Sequence, residues 1–231
     1  STSGTGAVTS AGALGIAITA SGGSISIGGN LNASTSAVAP ITLKASANLS
    51  VTASRSITTA GGNAILWSRY LAAADAVTVG NITLGNSATI TTNGGRIAMA
   101  GTSQVDANGI PNGYAYTTST TAAVQLGTSA TAADSNSVLS SGGGAITIFG
   151  RQASAANSSS GIQIWGGASI NAGTGRITMD GRSASNGGNA IEFTGTTGGF
   201  KVLSAATTGT AISITGAATG TPGANGGSRG I

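Results

Sequence analysis

Isoleucine, valine and leucine recur in this chain as pairs two residues apart, and turns rich in glycine and asparagine separate one pair from the next. The pattern runs through Ile16/Ile18, Ile25/Ile27, Ile41/Leu43, Leu49/Val51, Val77/Val79, Ile82/Leu84, Ile97/Met99, Ile146/Ile148, Ile162/Ile164, Ile177/Met179, Ile191/Phe193 and Ile212/Ile214. A spacing of two puts both members on one face of an extended strand and the residue between them on the other. That intervening residue is mostly small or polar, as with Thr83, Ala98, Thr147, Gln163, Thr178 and Glu192. Short strands are expected, about three to five residues each. Gly-Gly, Asn-Gly and Gly-Asn dipeptides bend the chain between them, because both residues reach positive φ cheaply. No window sustains the period of a helix, and glycine recurs too often for a helix interior.

Closely spaced short strands suit either a sandwich or a solenoid, and internal repetition separates the two. Residues 81–101 align without a gap on residues 161–181, an offset of 80, with eight of 21 positions identical. These include Ile82/Ile162, Ile90/Ile170, Arg96/Arg176, Ile97/Ile177 and the only two methionines, Met99/Met179. Strand starts fall at 82, 90 and 97 in one copy and at 162, 170 and 177 in the other. That outlines a coil of three short strands, the unit of a right-handed parallel β-helix. Gly61-Gly62-Asn63-Ala64-Ile65 echoes Gly187-Gly188-Asn189-Ala190-Ile191. The fold class expected is all-β, one solenoid over residues 1–231, with irregular loops near 106–122 and 152–160. At roughly 20 to 25 residues per coil the chain would make about nine to eleven coils stacked ~4.8 Å apart. Ile97 and Ile177 point into the core; Ala98 points out and should accept threonine, the residue at 178.

Glycine supplies 40 of the 231 residues, a bias shared with disordered linkers, but 39% of the chain is hydrophobic and its mean hydropathy is positive. That is too much apolar surface for a chain that stays unfolded. There is no His and no Cys, which excludes a Ser/His/Asp triad, imidazole metal sites, thiolate nucleophiles and disulfides. The sequence pI near 10.1 reflects nine Lys and Arg against five Asp and Glu. The cations stand singly, so no basic run tracks a phosphate backbone and nucleic acid is not an expected partner. No stretch is apolar enough for a transmembrane helix. Leu14 to Ala20 lacks the charged lead of a signal peptide, and the start at Ser1 reads as a processed product or a piece of something longer.

Gly80-Asn81-Ile82-Thr83-Leu84-Gly85-Asn86-Ser87-Ala88-Thr89-Ile90 and Gly95-Arg96-Ile97-Ala98-Met99-Ala100-Gly101 resemble the repeats of filamentous-haemagglutinin-like exoproteins of bacterial two-partner secretion. The resemblance implies a β-helix shaft exported through the outer membrane, serving as an adhesin or surface fibre without a cofactor. The Asn-Pro-Asn motif of that family's secretion domain is absent, so shaft rather than export module is implied. Ala123-Val124-Gln125-Leu126-Gly127-Thr128-Ser129-Ala130 is similar to the head repeat of trimeric autotransporter adhesins, but does not recur at that repeat's spacing.

Parallel β-helices also carry polysaccharide lyases and hydrolases, and Asp180 and Glu192 are the close carboxylate pair in the sequence. Solvated single charges are the reading preferred for both. Arg96 and Arg176 are the repeated cations, readable as a row for cell-surface glycans or as outward arginines that cover neighbours with their stems. Tyr114 and Tyr116 lie in the least repetitive segment and either anchor a partner or cover a corner of the core. Trp165 completes the candidate surface contacts. No Gly-Lys-Ser/Thr follows the glycine turns, no calcium-binding glycine and aspartate repeat is present, and Thr89-Ile90-Thr91 is not repeated as an ice-binding column would be. The chain reads as a non-enzymatic structural or adhesive subunit, secreted or on a bacterial outer surface. It needs no metal or cofactor and has other copies of itself as partners. Its last segment, Ser228-Arg229-Gly230-Ile231, stops where other repeats begin a strand, so either more chain is expected beyond Ile231 or the terminal coil stacks end to end on another copy.

Overall fold

The computed structural model describes residues 8–10, 14–74, 76, 78–128, 135–156, 159–195 and 199–219, and among them every regular element is a strand. The first three turns of the chain hold β1 (Val8–Thr9), β2 (Ile16–Ala20) and β3 (Ile25–Ile27); β4 (Leu31–Ala33), β5 (Ile41–Ala45) and β6 (Leu49–Val51); β7 (Ser56–Thr59), β8 (Ala64–Ser68) and β9 (Ile82–Leu84). The fourth holds β10 (Thr89–Thr91), β11 (Ile97–Val105), β12 (Pro111–Gly113), β13 (Ala115–Thr117) and β14 (Val124–Leu126). Then come β15 (Val138–Ser140), β16 (Ile146–Gln152) and β17 (Ile162–Trp165); β18 (Ser169–Asn171), β19 (Ile177–Ser183) and β20 (Ile191–Thr194); and finally β21 (Lys201–Leu203) and β22 (Ile212–Ala218).

Successive turns stack into three parallel sheets, ordered β1-β4-β7-β10-β15-β18-β21, β2-β5-β8-β11-β16-β19-β22 and β3-β6-β9-β14-β17-β20, and β12 and β13 bring the second to nine strands. Each of the first six coils gives one strand to each sheet, and the last described coil gives one to the first two, so the described residues form a parallel β-helix with three strands per coil. The pairing register lines up Ile16, Ile41, Ala64, Ile97, Ile146, Ile177 and Ile212 in one column. Leu43, Leu66, Met99, Ile148 and Met179 form the next. Both columns face inward, and Ile41 through Ile177 are sealed from solvent. The 80-residue repeat is two coils long: Ile97 pairs with Ile146 and Ile146 with Ile177.

Coil length departs from the expectation. Along the first column the register steps are 25, 23, 33, 49, 31 and 35 residues (Ile16 to Ile41, Ala64, Ile97, Ile146, Ile177 and Ile212). Among the described residues the sheet from β1 to β21 therefore counts seven layers, where nine to eleven were expected for the whole chain, and rises about 29 Å over six steps of ~4.8 Å. The surplus residues leave at the corners and add no layer. In the longest coil, β11 pairs with β16 only from Ile97 to Met99, then turns outward as an antiparallel hairpin with β12. The chain returns as β13, which pairs with the second half of β16. The segment 106–122 thus contains two strands where an irregular loop was expected. Val79 is exposed and outside any strand, on the excursion between β8 and β9; its pair partner Val77 lies outside the described residues.

The glycine and asparagine turns do more than bend the chain. A Cβ on Gly95, Gly144 or Gly175 would lie 2.0 Å from the carbonyl oxygen of Gly62, Gly95 or Gly144 respectively, one coil earlier. Beside this glycine column, the buried hydroxyls of Thr59, Thr92 and Ser141 each donate at 2.5 Å to the carbonyl of the glycine three residues ahead. Asparagine side chains link coils: Asn30, Asn48, Asn63 and Asn86 accept from the amides of Ser56, Asn81, Arg96 and Thr128 at 2.9 to 3.1 Å. The Gly-Gly-Asn-Ala-Ile echo is explained by this corner chemistry and not by equivalent position. Ala64 begins a strand of the nine-stranded sheet, whereas Ile191 begins β20 of the six-stranded one. Both Gly62 and Gly188 press against a carbonyl of another coil.

Ala98 points outward as expected, yet it is fully buried, because the β11–β12 arm lays Ile110 over Ile65, Trp67 and Ala98 in a second small core. Ala98→Thr is consequently expected to cost about 1–3 kcal/mol rather than being neutral, since a methyl and a hydroxyl enter a closed site. Thr147→Ala, one coil along the same outward column and half-exposed, should stay within about 0.5 kcal/mol. Parallel thermal melts of the two variants check this.

Candidate functional site

The arm creates the chemically richest surface of the molecule. β13 sets Tyr116 in register with Arg151 of β16, and β16 sets Phe149 and Arg151 beside Asp180 and Arg182 of β19. The Asp180 carboxylate accepts a 2.5 Å hydrogen bond from the Tyr114 hydroxyl and sits 3.4 Å from an Arg182 Nη. Its other oxygen is buried without a partner. The Arg182 guanidinium lies 4.6 Å from the Tyr114 ring centre, and that ring packs at 5.8 Å on Phe149. Burial, and after it the hydrogen bond to Asp180, push the Tyr114 phenol well above the usual tyrosine range.

A raised phenol pKa means the folded state holds the proton more tightly, so this contribution to stability is complete below about pH 10, the unfolded value. It is lost as pH climbs from there through the folded value. An ultraviolet titration should therefore show a late-ionising component, and Tyr114→Phe should remove it.

Arg69 anchors the same surface from beneath and was not singled out in the sequence. Only 1% exposed, it donates to the carbonyls of Tyr114 and Ala76 and lies 4.7 Å from the Tyr116 ring. Burial pushes its guanidinium down from the usual value; Tyr116 opposes that shift and nearby Arg151 adds to it. One side chain thus ties the 69–79 excursion and the arm to the sheet. Arg69→Met should destabilise by about 2–4 kcal/mol, since the part-buried carbonyls of Tyr114 and Ala76 lose a charged donor. Hydrogen exchange should rise first in β12 and β13.

The sequence candidates fall in three places. Tyr116 is buried, which makes it a cover and not a contact residue, while Tyr114 is half-exposed in the cluster just described. Arg96 and Arg176 line one open corner groove of about 420 Å³ with the glycine column, and each is engaged. Arg96 pairs with Asp106 at 3.5 Å, and Arg176 donates to the Thr208 carbonyl at 2.8 and 3.2 Å. Trp165 ends β17 on another sheet, half-buried, with its indole N–H buried and unpartnered. Asp180 and Glu192 lie on different sheets and neither is a solvated single charge: Glu192 accepts from Ser160 at 2.7 Å and Gln163 at 3.0 Å.

A sequence signal for Arg151 and Arg182 was available. Ile146-Thr147-Ile148-Phe149-Gly150-Arg151-Gln152-Ala153-Ser154 repeats 31 residues later as Ile177-Thr178-Met179-Asp180-Gly181-Arg182-Ser183-Ala184-Ser185, identical at six of nine positions. That offset is one coil. No protein-family model, curated protein or solved structure matches this chain.

Proposed function

We propose that this protein is a non-enzymatic shaft or adhesive segment of a bacterial surface or extracellular fibre. What supports the reading is the coil stack: one uninterrupted apolar core runs through it, and its sheets carry mostly small outward residues. The resemblance of its repeats to filamentous-haemagglutinin-like shafts points the same way, and with it to secretion and an outer-surface location. Among the described residues no helix is long and apolar enough to cross a membrane.

Stacking of copies end to end is part of this proposal. In the last described coil, Val202 is partly exposed and Ile212 is 36% exposed, although their column neighbours Ile170 and Ile177 are closed. A parallel sheet left open at such an edge offers unpaired backbone to another copy. The test is electron microscopy of the purified chain with diffraction along the fibre. Filaments with a ~4.8 Å axial spacing are expected, and Ile212→Asp should shorten them; a strictly monomeric chain at high concentration overturns the stacking. Ile231 and residues 1–6, which bear on the same question, lie outside the described residues.

The Tyr114 and Asp180 contact favours one alternative, a carbohydrate-active β-helix. Under the structural reading, a polysaccharide panel incubated with the chain releases no reducing or unsaturated sugar. Release that disappears in Asp180→Asn or Glu192→Gln would replace that reading with the lyase or hydrolase one.

A further inference from the structure

We propose that the ends of β16 and β19 bind the carboxylate of an acidic polysaccharide, gripped by the Arg151 and Arg182 guanidiniums and flanked by the Tyr114 and Phe149 rings. The two arginines are register partners on adjacent coils, ~4.8 Å apart at the backbone. Both are exposed, and both line one cavity of about 210 Å³ with Gln152, Ser183 and Thr219. Like charges side by side on a sheet repel one another. Here a third guanidinium, that of Arg69, is near enough for Arg151 to act on its protonation.

The described residues offer little to offset this charge. Asp180 is the one carboxylate bonded within the cluster, and it is already engaged by Tyr114 and Arg182. The Arg151 side chain makes no hydrogen bond or ion pair with any described residue. An anion bridging the two forks removes the repulsion and fills the donors of Arg151. The planar fork of a guanidinium matches a carboxylate through two parallel hydrogen bonds.

The half-exposed Tyr114 and Phe149 rings choose the carrier, because aromatic surface beside a charge suits the C–H face of a sugar. A nucleic acid would instead need cations in a track, and the remaining cations of this chain are dispersed or engaged. Arg96 and Arg176 differ from Arg151 in this respect, since each already has an oxygen partner. The site deepens the adhesive side of the proposed function and rests on it only in the choice of a polysaccharide. Fibre growth is read by microscopy and this site by binding at dilution, so the two fail separately.

Titration calorimetry of the full chain with polygalacturonate, de-esterified and fully methyl-esterified, tests the proposal. The acid form should bind at least about tenfold tighter than the ester. Arg151→Gln should weaken binding by about tenfold, Arg151→Lys by less because charge survives without the fork, and Arg176→Gln by under about twofold. Arg151 contacts too little to be needed for folding, which circular dichroism of the variants checks. Equal losses in Arg151→Gln and Arg176→Gln overturn the site. So does equal affinity for the methyl ester, or for single-stranded DNA of matched charge density.

Discussion

Gly144→Val is expected to remove on the order of 4–5 kcal/mol of stability, at the upper end of what one substitution does. Gly144 has no positive φ, so backbone strain is not the cause. The cause is distance: its Cβ would stand 2.0 Å from the Gly95 carbonyl oxygen, 2.3 Å from that carbonyl carbon and 2.8 Å from the Arg96 nitrogen. All three are backbone atoms of the coil before, and they cannot rotate away. Relief requires parting the two coils, and that lengthens the ladder bonds on both sides. The Ser141 hydroxyl, which donates to the Gly144 carbonyl, shifts with it. Gly22→Ala is the matched control, because nothing lies within 4 Å of the position its Cβ would take. It should change stability by no more than about 0.5 kcal/mol. Denaturant unfolding of both variants decides the matter, and equal effects would mean the corner is not the tight point described.

The same column shows what was legible in the sequence and what was not. Strand positions and inward faces could be read from Ile97/Met99 and Ile177/Met179, because a period of two is a local property and the core repeats it in every coil. Coil length could not, because an excursion such as the arm changes the spacing between layers without changing any strand. The glycines were read as turns, although Gly95 and Gly175 recur for a reason only stacking reveals, the approach of a carbonyl from the coil below. Ala98 was assigned the correct face and the wrong environment, since its cover, Ile110, comes from a hairpin without the paired pattern. Arg69 gave no signal at all: one isolated arginine in sequence looks the same whether it points to water or lies beneath Tyr116. Arg151 and Arg182 did leave a trace in the 31-residue repeat, but both lie outside the stretches 81–101 and 161–181 that align at an offset of 80.

Ile97→Asp should be the most damaging substitution of the core, at about 5 kcal/mol or more near neutral pH. Ile97 is sealed from solvent and stacked between Ala64 and Ile146, so a carboxylate there meets only apolar neighbours above, below and across the core. Ionisation would be opposed by burial, and the folded-state pKa of the new group would rise above its unfolded value of about 4. A raised pKa means the penalty is smallest below that value and grows as pH increases. The variant should therefore recover part of its stability on acidification, while the wild-type chain does not. Ile212→Asp occupies the same column in the last described coil, where the side chain is over a third exposed, and should cost only about 1 kcal/mol. Because each coil touches only its neighbours, damage at Ile97 should also stay local at first. Hydrogen exchange should rise in β8, β11 and β16 while β18 and β19 keep their protection. A uniform loss across all coils would show instead that the stack melts as one cooperative unit, and that two-coil separation does not insulate Ile177 from a charge at residue 97.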